Sequence, residues 1–196
     1  MIDNAELPTA ARLLALEIRS QKMGFVVFEG PTRLLDWGFR SHAYPTCRLR
    51  EVVAKRVRPL LFRYGPSAVV MRRDNHYSSQ SPARLRISVG TIRKEANRCG
   101  VEFRLLRTKS RKHFFVQVGC ATKYQVAQLI AKLFKEISWR AQPKRKAWHS
   151  ESYHTVIFDA AATGLVSFAT EFNPDAVREL IANTESFRRP LNDVAR

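Results

Sequence analysis

The run Arg12-Leu13-Leu14-Ala15-Leu16-Glu17-Ile18 carries apolar side chains at odd and even positions alike. A strand with one face in water alternates apolar with polar residues. This run therefore predicts a central strand covered on both sides, with Glu17 near its end in an otherwise apolar setting. Two further strand-like runs follow closely, Met23–Glu29 and Arg33–Phe39, joined by the turn signal Gly30-Pro31-Thr32. Together the three predict an antiparallel meander.

Beyond the meander the period changes. Thr46 is placed to cap a helix whose apolar positions Leu49, Val52, Val53, Val57, Leu60 and Leu61 follow helical spacing. Ser67–Met71 predicts a short buried strand and Arg72–Pro82 a polar loop, with Ser81-Pro82 starting the next helix. In that helix Leu85, Val89, Ile92, Ala96 and Cys99 form one stripe, and Gly100 ends it. Val101–Arg107 predicts a fifth strand. The capping box Thr122-x-x-Gln125 opens a helix with Val126, Leu129, Ile130, Leu133, Phe134 and Ile137 inward. A basic loop, Arg140–Lys146, precedes a helix over His154–Phe172 and a shorter one from Pro174 to about Thr184. The expected organisation is an N-terminal extension over 1–11, one α/β domain over 12–172, and a C-terminal helix and tail over 173–196.

Charge is distributed unevenly. Between Arg48 and Ser150 there are 25 Lys and Arg against five acids, while residues 1–47 balance and residues 151–196 are slightly acidic. A net charge of +17 and a pI near 10.6 make an acidic polymer the natural partner. The 45% hydrophobic fraction argues for a packed core rather than disorder. No apolar run reaches the roughly 18–20 residues a spanning helix needs, so no membrane association is expected. The N-terminus lacks the layout of a signal peptide. Cys47, Cys99 and Cys120 are too few and scattered for a disulfide framework, which fits a reducing cytoplasm. No glycine-rich phosphate loop and no Gly-x-Ser-x-Gly elbow occurs, so nucleotide hydrolysis and serine-hydrolase chemistry have no support.

Three antiparallel strands, then helix–strand–helix–strand–helix, then a late helix bearing an acid, is the order of the ribonuclease-H-like fold. The chain resembles the RuvC-type Holliday-junction resolvases of that superfamily over roughly residues 12–170. The likeness rests on Leu14-Ala15-Leu16-Glu17-Ile18 with Gly24-Phe25-Val26-Val27-Phe28, on Pro66-Ser67-Ala68-Val69-Val70, and on Phe158-Asp159-Ala160-Ala161-Ala162. It implies a mixed five-stranded sheet, three strands antiparallel and two parallel, with helices on both faces. It also implies a branch-selective DNA endonuclease of recombination that uses Mg²⁺ or Mn²⁺, and a homodimer matched to a four-way junction.

Carried onto this chain, the resemblance makes Glu17 and Asp159 the metal ligands, with Asp74 and Glu151 as further candidate catalytic acids. Two metal ions held by clustered carboxylates are what phosphodiester hydrolysis needs. The chain departs from the family in three places, one of them the second acid of the last helix, which is missing unless Glu151 supplies it. Glu replaces Asp on the first strand. Where the family sets a Glu after its fourth strand, this chain reads Val70-Met71-Arg72-Arg73. Arginines there repel a metal and suit a phosphate.

Arg72 and Arg73 are therefore candidate nucleic-acid ligands, as are Lys109, Arg111 and Lys112 beyond the fifth strand and the loop triplet Lys144, Arg145 and Lys146. Trp139 and Trp148 flank that triplet and suit base stacking or half-buried anchoring equally. Each acid also has a structural reading: Glu17 as the partner of an arginine, Asp159 as a helix-start acid favoured by the macrodipole. His149-x-Glu151-x-x-His154 has metal-ligand types but no third anchor. Acids retained at both ends of the site favour a metal-dependent structure-selective endonuclease acting on branched DNA; the alternative is a catalytically degenerate RuvC-like fold that binds DNA or RNA within a larger assembly.

Overall fold

In a computed structural model, the apolar run forms β1 (Arg12–Ile18), the middle strand of a five-stranded sheet of order β3-β2-β1-β4-β5. The structure describes residues 11–19, 22–41, 44–73, 83–141, 154–172 and 174–184. β2 (Lys22–Glu29) and β3 (Arg33–Ser41) continue antiparallel from β1. β4 (Ala68–Arg73) and β5 (Glu102–Arg107) add in parallel on its other side. This is the predicted ribonuclease-H-like α/β arrangement. It follows from the chain: hairpin turns suffice for the meander, whereas a parallel neighbour requires a helical crossover.

The two-sided apolar pattern of β1 feeds two cores. Leu14, Leu16 and Ile18 face α1 (Leu49–Tyr64) and α2 (Ala83–Arg98), which supply Leu49, Val53, Val57, Leu61, Val89 and Ile92. Leu13 and Ala15 face the other layer, built from α3 (Thr108–Gln117), α4 (Lys123–Leu133), α5 (Lys135–Ser138), α6 (Thr155–Ser167) and α7 (Pro174–Ala182). Glu17, two residues on from Ala15, points into this second layer, because side chains alternate along a strand.

Several local expectations are corrected. Thr46 does not cap α1. It sits in a 3₁₀ turn over Thr46–Arg48, and its hydroxyl instead accepts from Arg84 at 3.3 Å. The capping box at Thr122 and Gln125 is formed as read. The helix it opens stops at Leu133, where Phe134 turns extended (φ −121°, ψ 94°) to bury its ring, and α5 follows as a separate turn. The helix read over His154–Phe172 is α6 followed by a π-helical turn over Phe168–Phe172. The segment after β5, read only as a basic stretch, is α3.

Helix α6 lies unusually close to the sheet. A Cβ on Gly24 would sit 2.6 Å from the carbonyl carbon of Val156 and closer still to its oxygen. A Cβ on Gly164 would enter the ring of Phe28. Ala160, Ala161 and Ala162 are fully buried between these two points. Small residues thus bring the α6 backbone almost onto β2. We predict that Gly24→Ala lowers Tm by several degrees, because the backbone it meets cannot yield and overpacking costs about 1–3 kcal/mol. Gly90→Ala is the control: it lies in α2 with nothing within 4 Å of the added carbon. It should raise Tm slightly through helix propensity. Equal shifts from both substitutions in a thermal melt would refute the close approach.

Candidate functional site

Glu17 and Asp159 meet on the α6 face of the sheet, where both are buried, at 2% and 8% exposure. Register explains the meeting. Glu17 pairs across the hairpin with Gly24, and α6 crosses Gly24 at Val156, one turn ahead of Asp159. On the other flank Leu16 pairs with Met71, so the next step along β4 sets Arg72 beside Glu17. The residue after a paired Met71 shares the face of Glu17, and its guanidinium bonds to the carboxylate at 2.8 Å (Nη2 to Oε1).

Two more arginines close the group. Arg19, just past the end of β1, bridges both acids, with Nε 3.3 Å from Glu17 Oε1 and Nη2 2.7 Å from Asp159 Oδ2. Arg111 reaches Asp159 Oδ1 at 2.7 Å from the first turn of α3. That turn is fixed to the sheet by the hydroxyl of Thr108, which donates to the carbonyl of Arg73 at 2.6 Å. On α6 itself the Thr163 hydroxyl donates to the Asp159 carbonyl.

The two acids do not behave alike. Burial pushes Glu17 up to about 7, and the neighbouring charge of Asp159 adds to the rise, against the pull of Arg72, Arg19 and Arg111. For Asp159, burial works upward too, but the charge and hydrogen bond of Arg111, with Arg19 and Arg72, hold the carboxyl below its usual range. Asp159 is thus the firm anion of the cluster. Glu17 is a proton-holding group near neutrality.

This donor set does not fit Mg²⁺ or Mn²⁺. Such ions want several hard oxygen ligands and waters. Among the described residues no group of three His, Cys, Asp or Glu side chains comes together. Of the two acids that do meet, Glu17 Oε1 and both carboxylate oxygens of Asp159 are engaged by guanidiniums. Two carboxylates against three arginines leave an excess of one positive charge, which opposes a dication and attracts an anion.

The other candidates are dispersed. Arg73 is exposed at the end of β4, and Lys109 and Lys112 are exposed on α3, around the buried Arg111. Asp74, Glu151, Lys144, Arg145 and Lys146 lie outside the described residues, as do His149 and Trp148. A second charged group occupies the opposite face of the sheet. There Arg58 Nε lies 2.5 Å and Arg98 Nη1 3.1 Å from the buried carboxylate of Glu95, in a cleft between α1 and α2 also lined by Arg50, Arg86 and Lys94. The hydrogen bond from Arg58, more than any other influence, keeps Glu95 below its normal range. Among the described residues no helix is long and apolar enough to cross a membrane.

Sequence reasoning missed Arg19 and the inward role of Arg111. A signal for the second exists: Arg111 and Phe115 are four apart, the spacing of one helical face, and both are buried. Nothing local marks Arg19, whose role depends on a residue 140 positions away.

No protein-family profile matches the chain, and no curated protein matches it in sequence. Solved structures do. The structure of Thermus thermophilus RuvC superposes with a TM-score of 0.60 at 20% identity, covering 81% of this chain and 94% of RuvC. T. thermophilus RuvC in complex with a Holliday-junction substrate gives 0.60 at 16% identity over 83% and 96%. The yeast mitochondrial Holliday-junction resolvase Ydc2 gives 0.55 at 11% identity over 94% and 89%. With this sheet order, and with acids on the central strand and the late helix, the chain has the fold of the RuvC-type Holliday-junction resolvases in the ribonuclease-H-like superfamily.

Proposed function

We propose that the chain binds structured nucleic acid through a RuvC-like fold in which arginines hold the acid pair, and that it binds without cutting. The observation that carries this reading is the 2.8 Å contact between Arg72 and Glu17, backed by Arg19 and Arg111 on Asp159. A guanidinium supplies fixed donors for a phosphate but cannot lower the pKa of water as a metal does. The surplus of 25 basic side chains over five acids between Arg48 and Ser150 supplies the field that gathers a polyphosphate strand. T. thermophilus RuvC, similar in fold, has been captured on a Holliday junction. A four-way DNA junction is accordingly the first ligand to test, with structured RNA beside it. Two copies of the chain would match the symmetry of such a junction.

The metal-dependent endonuclease, with Glu17 and Asp159 as Mg²⁺ or Mn²⁺ ligands, draws on one observation: both acids are buried on one face of the sheet, close enough for Arg19 to bridge them. It also calls on Asp74 or Glu151 as a third ligand. Incubation of labelled junction, flap and single-stranded DNA with Mg²⁺ or Mn²⁺ separates the readings. The expected result is binding with no nick. Nicking by wild type that is lost in Asp159→Asn would overturn the proposal.

Binding should fall with salt at a log–log slope steeper than about −4, as five or more phosphate contacts release counterions. Lys109→Gln with Lys112→Gln should reduce that slope while sparing the fold, since both side chains are exposed. A slope near zero for wild type would remove nucleic acid as the main partner. An unchanged slope in the double variant would move the contacts to the α1–α2 face.

The acids themselves yield opposite expectations. Asp159→Asn strips Arg111 and Arg19 of their anion and should cost about 3–5 kcal/mol of stability. Glu17 holds its proton more tightly when folded (about 7) than the ordinary 4.5. The folded state is therefore favoured below pH 4.5, and that advantage is lost as pH rises to 7. Relative to Glu17→Gln, wild type should lose roughly 3 kcal/mol of unfolding free energy across that window. Urea titrations at a series of pH values give the difference directly. A pH-independent difference would show that Glu17 is ionised throughout. A slope that vanishes on adding Mg²⁺ would show a metal at the acid pair.

A further inference from the structure

Trp139 is 65% exposed, yet its ring is held on several sides. Its indole N–H donates to the carbonyl of Glu136 at 3.1 Å. The guanidinium carbon of Arg140 lies 3.8 Å from the ring centroid, in stacking contact. Trp37 of β3 meets the ring edge-on at 5.9 Å, and Arg140 also lies 5.9 Å from the centroid of Trp37. Arg140 in turn approaches the ring of His154 at 3.2 Å, at the start of α6, where His154 packs against Phe39 at 5.8 Å. A large ring fixed in one orientation and left open to water offers a flat face to a flat partner at little further cost in side-chain ordering.

The position of this group indicates what it receives. Phe39 pairs with Gly24, and Gly24 pairs with Glu17, so the Phe39 end of the aromatic group lies in the sheet row of the acid–arginine cluster, while Trp37, against which Trp139 rests, pairs with Val26 in the row of Ala15. The group shares that cluster's face of the sheet, with Phe39 about two strand spacings, ~10 Å, from it. An aromatic plate capped by a guanidinium, beside a cationic site, matches the alternation of flat base and charged phosphate in an unpaired strand. A paired duplex hides its base faces and cannot use the plate.

We infer that Trp139, fixed by Trp37 and Arg140, is a stacking platform for an unpaired nucleobase of a DNA strand. The inference rests on the nucleic-acid-binding reading above and adds to it where an opened base is held.

The test compares a short oligo(dT) strand with an abasic strand of equal length, which keeps every phosphate and lacks every base. Binding is followed by fluorescence anisotropy on wild type, Trp139→Ala and Trp139→Phe. Wild type should prefer the strand with bases by about tenfold, the effect expected of one stacked base. Trp139→Ala should lose that preference, keep its affinity for the abasic strand, and show an unchanged salt slope. Trp139→Phe should keep part of the preference. Tm should stay near that of wild type in both variants, because the ring is mostly exposed. Equal binding of the two strands by wild type, or an intact preference in Trp139→Ala, overturns the platform while leaving phosphate binding in place. Binding of neither strand, nor of a junction, overturns the nucleic-acid reading itself and the platform with it.

Discussion

Two buried carboxylates facing three guanidiniums are the constraint around which the α6 side of this molecule is arranged. An unpaired charge in such a place would cost several kcal/mol, so the chain must deliver every partner to within hydrogen-bond range. The partners come from four separate places: the end of β1, the end of β4, the start of α3 and the second turn of α6. Gly24 and the alanines of α6 are required for the same reason. Without a Cβ at Gly24 the helix descends until Asp159 meets the arginines, and bulkier residues would hold it off. Close packing and charge pairing therefore depend on each other.

The cluster also changes what the fold can do. A site for divalent ions concentrates negative charge and leaves room for water. Here positive groups on fixed stems occupy the space between the acids. Arg72 lies where the likeness to RuvC-type enzymes calls for a carboxylate. Arg111 comes from α3, so the substitution extends beyond a single position. An isolated Glu-to-Arg change would leave the remaining acids repelling one another around an unmatched cation. This chain has instead a group of mutually paired charges, with Asp159 firmly ionised and Glu17 near its titration point. Replacing a buried ion cluster by apolar side chains is often neutral or stabilising. Stability alone is therefore a weak account of why these five charges stand together, which is the ground for proposing an anion-receiving role.

The sheet was legible in the sequence because its signals are local. Apolar residues on both faces of Arg12–Ile18 mark the centre of the sheet, and Gly30-Pro31-Thr32 marks a hairpin. Thr122 and Gln125 form their capping box because the box needs only four consecutive residues. Elements decided by tertiary packing were not legible. Helix α3, rich in Lys and Arg, lacks a continuous apolar stripe and buries little beyond Arg111 and Phe115. The break at Phe134 exists so that its ring can pack against Phe28, 5.6 Å away, a contact no local pattern encodes. For the site, the acids at both ends were readable from strand and helix position. Of their arginine partners only Arg72 was marked, by its place in β4; Arg19 and Arg111 were not, since charge count gives sign and abundance without geometry.

Sheet register then joins these features into one surface. From the edge inward, Phe39, Gly24, Glu17 and Arg72 occupy successive strands in one row, all turned towards α6. Along that row the chemistry runs from aromatic through a bare backbone to acid and guanidinium. Gly24 is where α6 touches down, so the helix stands between the aromatic group and the cluster and contributes to both, with His154 at its start and Asp159 in its second turn. Less than two turns of one rigid helix separate the two residues. The stacking groups and the charged groups are thus held on either side of α6 at a spacing set by the sheet and the helix rather than by loops. Fixed spacing of that kind limits the entropy lost on binding. Under the proposed reading, that rigidity serves to hold an opened strand in place.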